Sequence, residues 1–200
     1  MLYTRAGDDG STRLFHHPNR ISKASTISEA LGTLDELNAW LGVCKVKKEA
    51  ERITLRKSFD SAQDDNIIEG DEIKKTYHDI LHSVQENLFI IQAEVAGATK
   101  SIDEEKVKSV EHMIDTIEKE LPKITTFLIA GGSDLSASID YARTLARRTE
   151  RRVGAVKETE ERPIGAHTLQ YLNRLSSLLY ALERYLNHQN NTPETPPHYT

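Results

Sequence analysis

Residues 127–152 read FLIAGGSDLSASIDYARTLARRTERR, and this stretch decides the fold. It opens as an apolar run, breaks at Gly131 and Gly132, offers Ser133 and Asp134 as helix caps, and continues as a long helical pattern. Leu135, Ile139, Ala142, Ala146, Thr149 and Val153 recur every three or four residues and make one small, apolar helix face. Arg143, Arg147 and Glu150 form a second stripe about 100° further round the same helix. Arg148, Arg151 and Arg152 add to the positive charge of the run. Such a face is either solvated surface with ordinary helix ion pairs, worth ~0.2–0.5 kcal/mol each, or ground for an anion, since Arg suits planar, bidentate recognition of phosphate.

Outward from this helix, four more apolar stripes appear. Ala30, Leu31, Leu34, Leu37, Leu41 and Cys44 predict a helix over 27–45, with Ser25, Thr26 and Ser28 as candidate caps. Asp35 and Asn38 lie beside that stripe, where a half-buried carboxylate would need a partner; the plain alternative is an exposed Asp on a surface helix. Tyr77, Leu81, Val84, Leu88, Ile91 and Val95 predict a second helix ending at Gly97. Val107, Val110, Ile114, Ile117 and Leu121 predict a third, closed by Pro122. After a turn at 162–165, Leu169, Leu172, Leu175, Leu179, Leu182 and Leu186 make a fifth, with Asn173 and Arg174 beside its apolar face. The expectation is an all-α, five-helix antiparallel bundle spanning 1–187 as one domain. The one strand-like run, 127–130, reads equally as extended loop.

Residues 1–24 are rich in turn formers. Thr4, Gly7, Asp8, Gly10, Ser11 and Thr12, with Lys23 downstream, supply the glycines, hydroxyls and ammonium that phosphate binding needs. They do not spell GxxxxGK[ST], and Asp-Gly pairs are also common in plain turns. Residues 46–74 lack a sustained period and read as a peripheral inserted loop, though Glu49 to Lys57 could extend the preceding helix. Residues 188–200 are polar and Pro-rich, with too little apolar surface to offset ordering entropy, and are expected to be disordered. His16, His17, His188 and His198 have no metal-ligand spacing and are expected to be exposed.

A net charge of −5 over 200 residues argues against binding nucleic acid by phosphate neutralisation. The single cysteine, Cys44, excludes an internal disulfide framework and suggests a reducing compartment. No apolar run approaches a membrane span and no signal segment opens the chain, so a cytoplasmic, membrane-free setting is expected. No Ser-His-Asp, Glu-x-x-His or Cys-His set is evident, which argues against covalent catalysis and a di-iron centre, and no direct metal ligand is assigned. The inventory points to a polyphosphate held by charge while another molecule supplies the nucleophile.

The segments YTRAGDDGSTRLF, RISK, EALGTLDELN, QENLFIIQAEVAG, FLIAGGSDLSASIDYARTLARRTERRV and YLNRLSSLLYALERYLN together resemble the propanediol-utilisation (PduO) type of ATP:cob(I)alamin adenosyltransferase. The resemblance implies a five-helix bundle assembled as a homotrimer with active sites between subunits. It implies transfer of the 5′-deoxyadenosyl group of ATP to the cobalt of a reduced corrinoid, with Mg²⁺ accompanying the triphosphate. A corrinoid reductase and an adenosylcobalamin-dependent mutase are the partners implied. By the same resemblance Thr4, Arg5, Gly7, Asp8, Gly10, Ser11 and Thr12 cradle the triphosphate, and Lys23 contacts phosphate. Arg147 and Glu150 are similar to an ATP-binding pair and Asn173 to the Asn that helps place the nucleotide. Asp35 and Arg143 resemble a salt bridge across the subunit interface beside the corrinoid. Phe127 is similar to the Phe that keeps the lower axial base from cobalt; on its residues alone it reads as core packing. The chain departs from the family at Ala24-Ser25-Thr26-Ile27, where acidic residues, a Pro and an Arg are usual, and at His16-His17-Pro18-Asn19, which replaces a Gly-rich piece. Two other functions compete: a corrinoid escort that delivers adenosylcobalamin, and a structural bundle with an incidental Arg face.

Overall fold

The computed structural model describes residues 3–15, 19–52, 54–55 and 75–199. In chain order the elements are β1 (Ser11–Thr12), β2 (Ile21–Ser22), α1 (Thr26–Lys45), α2 (Lys48–Arg52), β3 (Thr54–Leu55), β4 (Lys75–Thr76), α3 (Tyr77–Ala96), α4 (Glu104–Glu120), α5 (Asp134–Glu158) and α6 (Ala166–Gln189). Two small antiparallel ladders, β1 with β2 and β3 with β4, accompany five long helices. These helices stand where the apolar periods place them.

The four helices α1, α3, α5 and α6 form the central bundle, and side-chain pairs give their directions. Glu29, Thr33, Glu36 and Trp40 of α1 meet Arg152, Thr149, Arg148 and Ser138 of α5, so these helices run oppositely. Lys45 and Asn38 of α1 meet His82 and Gln85 of α3, again antiparallel. Tyr77, Asn87 and Glu94 of α3 meet Leu182, Tyr171 and Thr168 of α6. The fifth helix, α4, lies outside against α6 and runs in the same direction, since Glu111 pairs with Arg174 and Glu120 with Tyr185. That parallel placement requires the crossing segment 121–133, which carries the chain over to the start of α5.

Caps and packing explain the boundaries. The Ser133 hydroxyl accepts from Ser136 N at 3.2 Å, and Ser25 accepts from Ser28 N at 3.3 Å. Thr76 and Asp79 close a reciprocal capping box on α3. The whole α5 stripe, from Leu135 through Val153, is buried with no exposed area. Deleting one of its larger side chains would cost ~2–5 kcal/mol. Gly132 has φ of +129°, and a Cβ there would overlap Asn187 Oδ1 and Ser136 Oγ. Only glycine fits so close to α6.

Two expectations change, and one open reading is decided. The segment read as an inserted loop begins with α2, whose Glu49 accepts from Leu135 N at 3.2 Å and from the Ser133 hydroxyl at 3.3 Å. A carboxylate at the start of α5 satisfies otherwise orphaned donors and favours the helix dipole, so this part braces α5. Residue 53 and residues 56–74 of the insert lie outside the described residues, as do His16, His17 and Pro18. The tail read as disordered from 188 starts inside α6, and beyond it Glu194 pairs with Arg184 while Thr195 O accepts from Ile129 N at 2.9 Å. A specific buried cation supplies what composition lacks. Of the two readings open for 127–130, extended loop is the one found. Among the described residues no helix is long and apolar enough to cross a membrane.

Candidate functional site: a basic groove and an N-terminal strap

Two walls carry the candidate residues. The first is helical. Arg143 and Arg147 of α5, Tyr180 of α6, and Ile124, Phe127 and Leu128 of the crossing segment line an open groove of about 750 Å³. Arg143 Nε donates to Asp140 Oδ1 at 2.6 Å, an i, i+3 pair on α5, and its guanidinium lies 5.9 Å from the Tyr180 ring centroid. Glu150 Oε1 accepts from Asn173 Nδ2 at 2.8 Å, so two separately inferred site residues meet across α5 and α6. Asn173 Oδ1 in turn accepts from Arg174, whose Nε donates to Glu111 at 2.8 Å. That network holds the Glu150 carboxylate in one orientation.

The Arg row divides in two. Arg148 pairs with Glu36 and Arg152 with Glu29, both on α1, and Arg151 donates to the Arg147 carbonyl. Those three are accounted for within the bundle. Arg147 is exposed, and no hydrogen bond or ion pair of its guanidinium is found among the described residues. The anion reading therefore narrows from a row to Arg147, with Arg143 beside it in the groove but already paired with Asp140. Asp35, for which both a half-buried place beside the seam and an exposed one were open, is exposed, with no partner among the described residues. Within one chain it does not meet Arg143. Phe127 is 79% exposed, which removes core packing as its role in the chain taken alone.

The second wall is the N-terminal strap. Lys23 Nζ donates to Gly7 O at 2.8 Å and Lys23 N to Gly10 O at 2.9 Å, closing residues 7–10 into a tight loop. Gly7 is required by that closure, since a Cβ would stand 2.9 Å from Ser11 O and 3.0 Å from Lys23 Nζ. Gly10 and Arg5 both adopt positive φ, +77° and +59°. Asp9 Oδ1 accepts from Ser11 N at 2.9 Å and from the Ser11 hydroxyl at 2.7 Å. The Ser11 hydroxyl, then its backbone N–H, holds the Asp9 carboxyl below its usual range. Thr4 Oγ1 accepts from Ala6 N at 3.4 Å, while Asp8 and Thr12 flank the turn. Arg20, which the sequence reading passed over, donates to the Ser11 hydroxyl at 2.6 Å and to Ser11 O at 2.9 Å. None of these bonds reaches Arg143, Arg147, Glu150 or Asn173, so one chain does not bring the two walls together.

Sequence reasoning also missed what lies behind the groove. Glu183 is buried on α6, and burial, followed by the charges of Asp140 and Glu194, pushes its carboxyl up to about 7. Asn187 Nδ2 donates to Glu183 Oε1 at 2.7 Å and to Gly131 O at 3.1 Å. The i, i+4 spacing of Glu183 and Asn187 and the i, i+3 spacing of Asp140 and Arg143 were the available signals. Cys44 is buried, and burial raises its thiol to about 12, so it stays an unreactive core residue. Among the described residues no group of three His, Cys, Asp or Glu side chains is placed to hold a metal.

Fold and site together define a five-helix-bundle protein with a basic, aromatic-edged groove and a separate glycine-bearing strap. The chain belongs to the cobalamin adenosyltransferase family, whose model matches residues 2–186. It is 34% identical to the corrinoid adenosyltransferase PduO of Citrobacter freundii over 95% of this chain and 52% of that protein. To the corrinoid adenosyltransferase of Bacillus subtilis it is 33% identical, over 93% of this chain and 86% of that one. The chain thus spans about half the length of the first relative and most of the second. A variant PduO-type ATP:corrinoid adenosyltransferase from Lactobacillus reuteri, complexed with cobalamin and ATP, superposes with a TM-score of 0.78 at 26% identity, covering 99% of each chain.

Proposed function

We propose that this protein transfers the 5′-deoxyadenosyl group of ATP to the cobalt of a reduced corrinoid. The cobalt nucleophile attacks C5′, the C5′–O bond breaks, and triphosphate leaves with its magnesium. The nucleophile belongs to the substrate, so the chain has only to orient both reactants and to stabilise the leaving charge. Arg147 would take the triphosphate from the helical wall. Lys23, with the backbone amides and hydroxyls around Thr4, Arg5, Gly7, Asp8, Gly10, Ser11 and Thr12, would take it from the strap. Glu150 and Asn173 would place the nucleoside, and Phe127 would stand at the corrinoid's lower face, where it keeps an axial base from cobalt.

The observation that carries the reading is the division of the site. Arg147 and Phe127 are exposed at the groove, Asp35 is exposed on α1, and among the described residues the strap makes no bond to the groove within its own chain. A homotrimer in which one protomer's strap closes on its neighbour's groove, and one protomer's Asp35 on its neighbour's Arg143, resolves this. A cytoplasmic setting fits the lone Cys44, and a corrinoid reductase and an adenosylcobalamin-dependent mutase would stand before and after the reaction. The test follows growth of the Co–C chromophore when ATP and reduced cobalamin are mixed with the protein. ATP-dependent growth is expected. Corrinoid binding without it would leave an escort, and no binding of either substrate would leave a structural bundle. Sedimentation should give three chains per particle; a monomer that turns over would refute the shared site.

A further inference from the structure

The crossing segment 121–133 has no regular structure of its own, yet it carries Phe127 to the groove. What fixes it lies outside it. Arg184, on the last turns of α6, has a side chain only 8% exposed. Its Nη2 donates both to Glu194 Oε2 at 2.9 Å and to Pro122 O at 3.2 Å, and its Nε donates to the two Glu194 oxygens at 3.1 and 3.2 Å. One guanidinium therefore ties the C-terminal segment to the start of the crossing segment. At the far end, Ile129 N donates to Thr195 O at 2.9 Å. Asn187, whose carbonyl accepts from Thr192 N at 2.8 Å, reaches Gly131 O with its amide. Phe127 lies between these fastenings.

We infer that Glu194 and Arg184 are positioning residues, and that residues 192–195 form a second strap which sets where Phe127 stands over the groove. The role of Phe127 rests on the function proposed above; the fastening itself does not. A forked guanidinium on a carboxylate, mostly withdrawn from water, is among the stronger polar contacts. Pro193, Pro196 and Pro197 hold the segment extended and lower the entropy lost on docking. Glu194 is not among the side chains lining the groove of Arg143 and Arg147, but its charge also raises the Glu183 carboxyl, so the Gln variant, which drops that charge and keeps an acceptor, separates the two effects.

The test compares full-length Glu194→Ala and Glu194→Gln with the parent. Amide exchange at Ile129, read without any substrate, should speed up about tenfold or more in the Ala variant and less in the Gln variant, which keeps an acceptor oxygen. Amides of Ala146 and Leu179 should keep their protection, showing an intact bundle. Turnover on base-on cobalamin should fall, with turnover on cobinamide and KM for ATP unchanged. Unchanged exchange at Ile129 would overturn the strap. Faster exchange with equal losses on both corrinoids would overturn its positioning role. If the parent itself makes no Co–C product while exchange responds as expected, the proposed reaction fails and the fastening stands.

Discussion

The helical wall and the N-terminal strap carry the same kinds of side chain, yet they are held in different ways. On the wall, Glu150 and Arg143 are fixed by partners on rigid helices, and Arg147 has no partner for its guanidinium among the described residues. On the strap, the polar groups satisfy one another: Lys23 holds Gly7 O, Asp9 holds Ser11, and Arg20 holds Ser11 again. A ligand meets the wall as built, whereas on the strap it has to displace internal bonds of comparable strength. In the site proposed above, preorganisation on one side and exchange on the other would divide the work of binding one nucleotide.

The largest expected effect comes from making one substitution on each side. Gly132→Ala should destabilise the fold by about 3 kcal/mol or more, because it combines positive φ with overlap against buried Asn187. Gly7→Ala should cost less, about 1–2 kcal/mol, while weakening nucleotide binding, since its Cβ meets backbone Ser11 O at 2.9 Å and the movable Lys23 tip but carries no positive φ. Denaturant unfolding checks both. Equal losses would erase the distinction between a rigid wall and an adaptable strap.

Next in size is the pair of cations. Arg147→Ala removes a charge with no internal bond to release, and KM for ATP should rise about tenfold to a hundredfold. Lys23→Ala should raise it about tenfold or less, because free Lys23 already donates a hydrogen bond to Gly7 O and gains less on binding. Steady-state kinetics with varied ATP ranks them, and the reverse order would place the preorganised anion site on the strap.

This contrast also governs what the sequence made legible. Each of the five apolar stripes became a helix within a few residues of its expected bounds, because burial at a 3.6 period leaves a repeated trace. The Glu150 and Asn173 contact was approachable from two seams that had to face each other. The parallel course of α4, the brace from Glu49 and the docking of Glu194 on Arg184 are single long-range contacts with no period to announce them. The Arg row was misleading in isolation for a related reason: Glu29 and Glu36, which neutralise two of its members, stand on another helix.

A smaller effect separates Phe127 from the charges around it. Phe127→Ala should slow turnover on base-on cobalamin by about tenfold while leaving cobinamide, which has no lower base, nearly unchanged. With cob(II)alamin and a chemical reductant as the starting mixture, loss of an axial donor would lower the cobalt orbital that accepts the reducing electron, so the ring would matter only when a base competes for that position. Parallel losses on the two substrates would reduce Phe127 to packing between protomers.

The smallest effect is a difference in sign between the walls. On the strap, the lowered Asp9 carboxyl contributes stability present above its ordinary value of 3.8 and lost as pH falls. Behind the helical wall, burial and the charges of Asp140 and Glu194 raise Glu183 from 4.5 to about 7, while Asn187 and Arg184 act the other way. The folded state then binds that proton more tightly than the unfolded state. Its contribution is full below 4.5 and is lost as pH rises through about 7, where the carboxylate forms among other acids. Glu183→Gln should flatten this decline, recovering about 1–2 kcal/mol at pH 8 relative to pH 5. Unfolding free energies across that range measure it. A variant with the parent's slope would show that Glu183 is already ionised in the folded chain, and that the groove is backed by a charge instead of a neutral acid.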